Sequence, residues 1–188
     1  MGAGHQANNI IIIDLKPPVK NMNFHGKIRD MKDQLFTPEA VRIVDHMASK
    51  AVCLEFMCQL LVDSGSLEAA DRFLDAVRSR EEVMSTGIGK GVAIPHARNE
   101  TVKKLRTALC LIRNGIDFES LDKKPVQLVF LTAVPSDANR EYMSVLKGLS
   151  EYLRHDNNRL PMLEAKDEKE LFEYARQIES QIHLADNN

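Results

Sequence analysis

The stretch Ser85-Thr86-Gly87-Ile88-Gly89-Lys90-Gly91-Val92-Ala93-Ile94-Pro95-His96-Ala97 sets a histidine behind a proline, closing a short apolar run that follows three glycines. Neutral imidazole is a nucleophile near pH 7, because its reference pKa is about 6.5. Glycines let backbone N–H groups approach an anion closely and present several donors together. Pro95 fixes its own φ and biases Ile94 toward an extended conformation, which defines the direction of the His96 side chain. A histidine held in this way beside an amide-lined concavity can accept and carry a phosphoryl group. The same residues also suit an ordinary glycine turn entering a strand, with His96 in a structural role. They form neither a P-loop nor a dinucleotide fingerprint. No Gly-Lys-Ser/Thr occurs here, and the glycines lead into an apolar segment instead of a helix.

The elements that must position this loop follow from apolar periodicity. Arg42-Ile43-Val44 predicts a short strand. Ser49 is placed to cap a helix carrying Val52, Cys53, Phe56, Met57, Leu60 and Leu61, ending at Ser64-Gly65. A second helix is expected from about Leu67 to Arg80, with Leu67, Ala70, Phe73, Leu74 and Val77 inward. Val92-Ala93-Ile94 reads as a strand, and Thr107 to Ile112 and Val126 to Val134 read as buried strands. Asn139 to about His155 predicts a helix with Tyr142, Met143, Leu146, Leu149 and Leu153 as its apolar stripe. A last helix is expected from about Glu168 to Gln181. Alternating helices and strands without a repeat predict an α/β fold, a mixed β-sheet sandwiched by helices in a single domain over 34–188. Residues 1–33 read as an N-terminal extension: Gly2 to Asn9 is polar, and Lys16-Pro17-Pro18 breaks regular structure.

Composition narrows the function classes. A chain of 188 residues with 44% hydrophobic residues can bury a sizeable core. A net charge of −2 gives no electrostatic basis for nucleic-acid binding. No apolar run approaches the ~20 residues that span a bilayer. Ile10 to Ile13 are too few for a signal-peptide core, so no membrane insertion and a cytoplasmic location are expected. Cys53, Cys58 and Cys110 lack zinc-ligand spacing and read as small core residues. His5, His25, His46, His155 and His183 form no helical metal pair with one another, so neither metal nor cofactor is expected.

The segment from Arg80 through His96, with its Ser-Thr-Gly and Ile-Pro-His core, resembles the active-site signature of the fructose/mannitol-type enzyme IIA domain. That domain belongs to the bacterial phosphoenolpyruvate-dependent sugar phosphotransferase system, and the nitrogen-regulatory branch is the most similar. The resemblance continues through Gly115-Ile116-Asp117-Phe118, Lys124 to Leu131 and Asp167 to Phe172, and covers about residues 35 to 180. It implies that His96 is the phosphorylated histidine and that Arg80 is the active-site arginine. The planar guanidinium fork of Arg80 suits two phosphate oxygens, although a cation at a helix end also favours the macrodipole. Ser85, Thr86, Gly87, Gly89 and Gly91 are the expected phosphate-binding positions, with Arg78, Lys90 and Arg98 as weaker candidates for docking an acidic partner. The family usually carries a second histidine on the helix after the Pro-Val-x-Leu-Val-Phe strand, where this chain has Tyr142 in Arg140-Glu141-Tyr142-Met143. A phenol can hydrogen-bond the imidazole or a phosphate oxygen, but it does not become cationic, and it equally suits core packing.

The resemblance implies a phosphotransferase component. It would accept a phosphoryl group on His96 from a histidine phosphocarrier protein. It would then pass the group to an enzyme IIB-type acceptor or signal to a regulated protein. The alternatives are a non-transferring module that controls a kinase, transporter or transcription factor by contact, and a relative that lost transfer with Tyr142. Because residues 1–33 lie outside the resemblance, a chain lacking them is expected to retain phosphorylation of His96, measured with labelled phosphoenolpyruvate. Loss of folding or labelling in that chain would place Ile10 to Ile13 in the domain.

Overall fold

A computed structural model describes residues 34–186; the extension, with His5, His25 and Ile10 to Ile13, lies outside the described residues. A single 3-10 turn at Pro38–Ala40 leads into β1 (Val41–Val44). Helix α1 (Lys50–Asp63) starts at Ser49, whose Oγ accepts the Val52 N–H at 3.3 Å. Helix α2 (Ala70–Val83) begins later than its periodicity suggests, because Leu67 is taken up in an antiparallel bridge with Val102. Then come β2 (Gly87–Gly89), β3 (Val92–Ala93), β4 (His96–Arg98), β5 (Arg106–Ile116) and β6 (Val126–Val134). Helices α3 (Asn139–Arg154), α4 (Asp156–Leu163) and α5 (Glu168–Asp186) complete the chain.

The sheet is mixed and follows the order β1-β5-β6-β3-β2, with β4 also paired to β6. Strand β5 runs antiparallel to β6, while β1 is parallel to β5, and β3 and β4 are both parallel to β6. One face buries Met57, Leu61, Phe73 and Val77 of α1 and α2 against Cys110, Ile112, Val129 and Leu131. The other buries Leu149, Leu153, Met162, Phe172 and Ile178 of α3 to α5 against Leu109, Leu111, Leu128 and Phe130. Alternate residues of β5 and β6 thus feed two cores, which is why these strands read as unbroken apolar runs. The α/β sandwich with a mixed sheet is borne out. Cys53, Cys58 and Cys110 are buried free thiols, and burial pushes Cys53 and Cys58 up to about 12.

Met143 departs from the expected stripe of α3: it is 60% exposed, whereas Tyr142, Val145, Leu149, Tyr152 and Leu153 are buried. The inward stripe runs through Tyr142 and Val145, and a residue next to Tyr142 is turned about 100° away from it. Among the described residues no helix is long and apolar enough to cross a membrane.

Helices α3 and α5 pack closely at Gly148, where an added Cβ would lie 2.4 Å from Ile182 Cγ1. Overpacking costs about 1–3 kcal/mol, whereas alanine gains at most about 1 kcal/mol of helix propensity. Gly148→Ala is therefore expected to destabilise the fold by up to about 2 kcal/mol in chemical denaturation. An unchanged or raised midpoint would show that Ile182 yields without cost.

Candidate active site

An open cavity of about 230 Å³ is lined by Ala76, Arg80, His96, Ala97, Arg98 and Tyr142. Each wall has a simple origin. Residues 92–98 lie along β6 in parallel register, Val92 opposite Leu128 and His96 opposite Thr132. Ile94 and Pro95 interrupt the pairing, and the Pro95 carbonyl accepts the Thr132 N–H at 2.9 Å, so the chain rejoins β6 at once. His96 and Arg98 then fall on one face of β4 by strand alternation. Arg80 occupies the last turn of α2 and donates from Nη1 to the Met84 carbonyl at 2.9 Å. Tyr142 lies in the first turn of α3.

His96 Nδ1 lies 2.9 Å from the Ile94 carbonyl oxygen. A carbonyl only accepts, so Nδ1 carries the proton and Nε2 keeps the lone pair of the neutral ring. Burial holds the imidazole below its ordinary pKa; the Ile94 carbonyl opposes this, Arg80 and Arg98 add to it, and Glu81 pulls the other way. His96 is therefore neutral and nucleophilic at pH 7. The Tyr142 ring meets the His96 ring with centroids 5.4 Å apart, and the Arg98 guanidinium lies 5.0 Å over the other aromatic centre, that of Tyr142. Such a stack steers Arg98 toward the cavity. Burial raises the Tyr142 hydroxyl above its ordinary value, so it stays neutral.

The structure thus brings His96, Arg80 and Tyr142 together, and of the weaker candidates it places Arg98 in the same cavity. Its place there follows from strand alternation, since residues i and i+2 of a strand share a face. The glycine-loop residues are not brought to the cavity. The Ser85 hydroxyl donates to the Phe118 carbonyl at 2.7 Å and accepts the Gly87 N–H at 3.1 Å. The Thr86 N–H and hydroxyl are both taken by Glu81. Gly89, with φ +87°, packs near Asp122, whose carboxylate accepts the Lys90 N–H at 2.8 Å. Gly91, with φ +75°, offers its carbonyl to the N–H groups of Gln127 and Leu128. These residues build the β2–β3 hairpin that supports Ile94. Arg78 pairs with Glu55, and the Lys90 ammonium reaches the Arg154 carbonyl and Asp156. Among the described residues no group of three or more His, Cys, Asp or Glu is arranged to hold a metal.

Because the folded state holds His96 below its unfolded value, the unfolded chain takes up that proton first as pH falls. The stability tied to neutral His96 is whole above about pH 6.5 and is lost as pH falls through the lower, folded value. An NMR titration is expected to place His96 below the free-imidazole midpoint, and Arg98→Gln is expected to move it upward. A midpoint at or above that of free imidazole, or one indifferent to Arg98, would contradict this electrostatic picture.

Residues 34–178 match the family model for the phosphoenolpyruvate-dependent sugar phosphotransferase system, EIIA 2. The chain is 35% identical over 131 residues to the fructose-specific EIIA component of Haloferax volcanii, covering 70% of this chain and 85% of that one. It is 28% identical over 139 residues to a nitrogen regulatory protein of Bradyrhizobium diazoefficiens, covering 73% of this chain and 90% of that one. The fold superposes on the crystal structure of nitrogen regulatory protein IIA-Ntr from Neisseria meningitidis with a TM-score of 0.69 and 29% identity, covering 74% and 95% of the two chains. With a match over most of its length and this sheet order, the chain belongs to the EIIA 2 family of the phosphoenolpyruvate-dependent sugar phosphotransferase system.

Proposed function

We propose that this protein is a phosphoryl carrier that takes the group on His96 Nε2. The observation that carries the reading is the 2.9 Å contact between Nδ1 and the Ile94 carbonyl, which leaves Nε2 as the nucleophilic nitrogen beside two arginines. The Nε2 lone pair attacks the phosphorus of a phosphohistidine donor protein. The new P–N bond forms as the donor's P–N bond breaks, and the donor imidazole leaves with its electron pair. Nδ1 keeps its proton throughout, so the phosphorylated ring is cationic, and the Ile94 carbonyl stabilises that cation. Because the phosphorylated ring is cationic, cleavage of its P–Nε2 bond returns the electron pair to Nε2 and releases neutral imidazole, a good leaving group, which suits onward transfer to an enzyme IIB-type acceptor. Positioning and charge stabilisation dominate phosphoryl transfer in general, and Arg80 and Arg98 supply the positive charge here.

The likeness to nitrogen regulatory proteins supports a second outlet, in which a regulated protein reads the phosphorylation state. Exposed Met84, whose carbonyl accepts from Arg80, and exposed Met143, next to Tyr142 in the chain, give the site an apolar surround that a partner protein can cover.

Incubation with the general upstream phosphotransferase components, a phosphohistidine carrier protein among them, and labelled phosphoenolpyruvate tests the reading. Acid-labile, base-stable label is expected on the wild-type chain and none on His96→Ala. Arg80→Lys is expected to fold normally and slow labelling about 10- to 100-fold, the worth of a charged two-pronged contact. Label that survives in His96→Ala would overturn the assignment.

A further inference from the structure

Glu81 is a buried carboxylate, 7% exposed, that does not line the cavity. Lys50 Nζ lies 3.0 Å from one of its oxygens and also pairs with Glu119 at 2.8 Å, while stacking over the Phe118 ring. Glu81 in turn accepts from the Thr86 N–H at 3.1 Å and from the Thr86 hydroxyl. The Thr86 carbonyl accepts the Ile94 N–H at 3.1 Å, and the Ile94 carbonyl accepts from His96 Nδ1 at 2.9 Å. These contacts form one uninterrupted chain from the ion pair to the imidazole. Ile94 is the link whose orientation decides the outcome. Its amide is pinned to Thr86, its ψ is restricted by Pro95, and the Pro95 carbonyl is pinned to Thr132. Release of Thr86 frees one of these anchors.

We propose that Glu81, held by Lys50, is a positioning residue that acts through Thr86 and Ile94 to fix the His96 ring in the tautomer with the proton on Nδ1. This rests on the reading of His96 Nε2 as phosphoryl acceptor, because only that tautomer leaves Nε2 free. A carboxylate suits the task better than a neutral group. It accepts two bonds from one residue, and charge-assisted bonds are about twice as strong as neutral ones. Lys50, 3.0 Å away, offsets its charge inside the fold. The ammonium is itself held charged: burial works against it, but its bonds to Glu119 and Glu81 outweigh that and raise its pKa.

The experiment uses the full chain with 15N-labelled histidine and long-range proton–nitrogen correlation, with the His96 signals assigned by their loss in His96→Gln. In the wild type the neutral ring is expected to show a protonated Nδ1 and an unprotonated Nε2; the opposite tautomer in the wild type would overturn the proposal without any variant. Glu81→Gln is expected to shift the tautomer ratio toward protonated Nε2 by about 5-fold, the worth of one ordinary hydrogen bond. Thr86→Val should shift it the same way, and Thr86→Ser, which keeps the hydroxyl, should restore it. A folded Thr86→Val or Glu81→Gln chain with an unchanged His96 tautomer would reduce Glu81 to a structural acid and overturn the proposal. Labelling from a phosphohistidine donor is measured in parallel. Tautomer coupling in a chain that takes no label supports the positioning role and overturns the carrier reading instead.

Discussion

The site depends on strand β6 more than on any residue that lines it. That strand is buried at all but one of its nine positions and is paired on both edges. On one side it meets β5 in antiparallel register; on the other it receives β3 and then β4, both parallel. Strands β3 and β4 are therefore one path along β6, broken only at Ile94 and Pro95. The break turns the Ile94 carbonyl away from the ladder and toward its own next-but-one side chain, His96. A regular strand would spend that carbonyl on pairing. Proline, which cannot donate to a ladder, is what allows the interruption.

Charge at the site is balanced between two demands. Nucleophilic attack needs a neutral imidazole, and burial with Arg80 and Arg98 nearby provides it. A phosphorylated ring must tolerate positive charge on Nδ1–H, and the Ile94 carbonyl and the Glu81 carboxylate favour that state. Neither set acts alone. In the proposed carrier, the arginines that disfavour imidazolium are the same groups that would offset the negative charge of a phosphoryl oxygen. The arrival of that group would therefore cancel part of the field that keeps the free ring neutral.

What the sequence made legible divides along physical lines. Helices α1, α2, α3 and α5 and the strands β5 and β6 carry apolar periodicity or long apolar runs, and these read directly. Helix α4 does not, because Asn157, Asn158 and Pro161 blur any stripe, and its placement rests on buried Arg159 bonding the Leu153 carbonyl and Asp156. Three-residue strands such as β2 and β4 are too short to show a period. The cavity's histidine was legible from residue types and spacing, whereas its arginine and tyrosine came from the family resemblance. The fate of the glycine loop was not, since Ser85 and Lys90 find their partners in Phe118 and Asp122, about thirty residues on. Glu81 reads in isolation as a solvated acid on a helix. Only the arrival of Lys50 from α1 makes its burial tolerable.

Tyr142 is the position where this chain departs from the pattern that its family resemblance implies, and the geometry limits what that departure costs. A second histidine beside His96 would titrate in the same range, and the two would share macroscopic pKa values. A buried tyrosine, held neutral, leaves His96 as the group whose ionisation changes near neutrality in this cavity, with Arg80 and Arg98 as fixed cations. The transfer proposed here moves no proton at His96, because Nδ1 holds its hydrogen against Ile94 before and after phosphorylation. It therefore asks for no acid or base from the neighbouring helix. What it does ask is that the imidazole plane stay fixed and that a cation stand near the phosphoryl oxygens. Tyr142 serves both, with one contact to the His96 ring and the other to the Arg98 guanidinium. A tyrosine in place of an ionisable imidazole thus keeps positioning and charge while discarding a titration that the proposed transfer does not require.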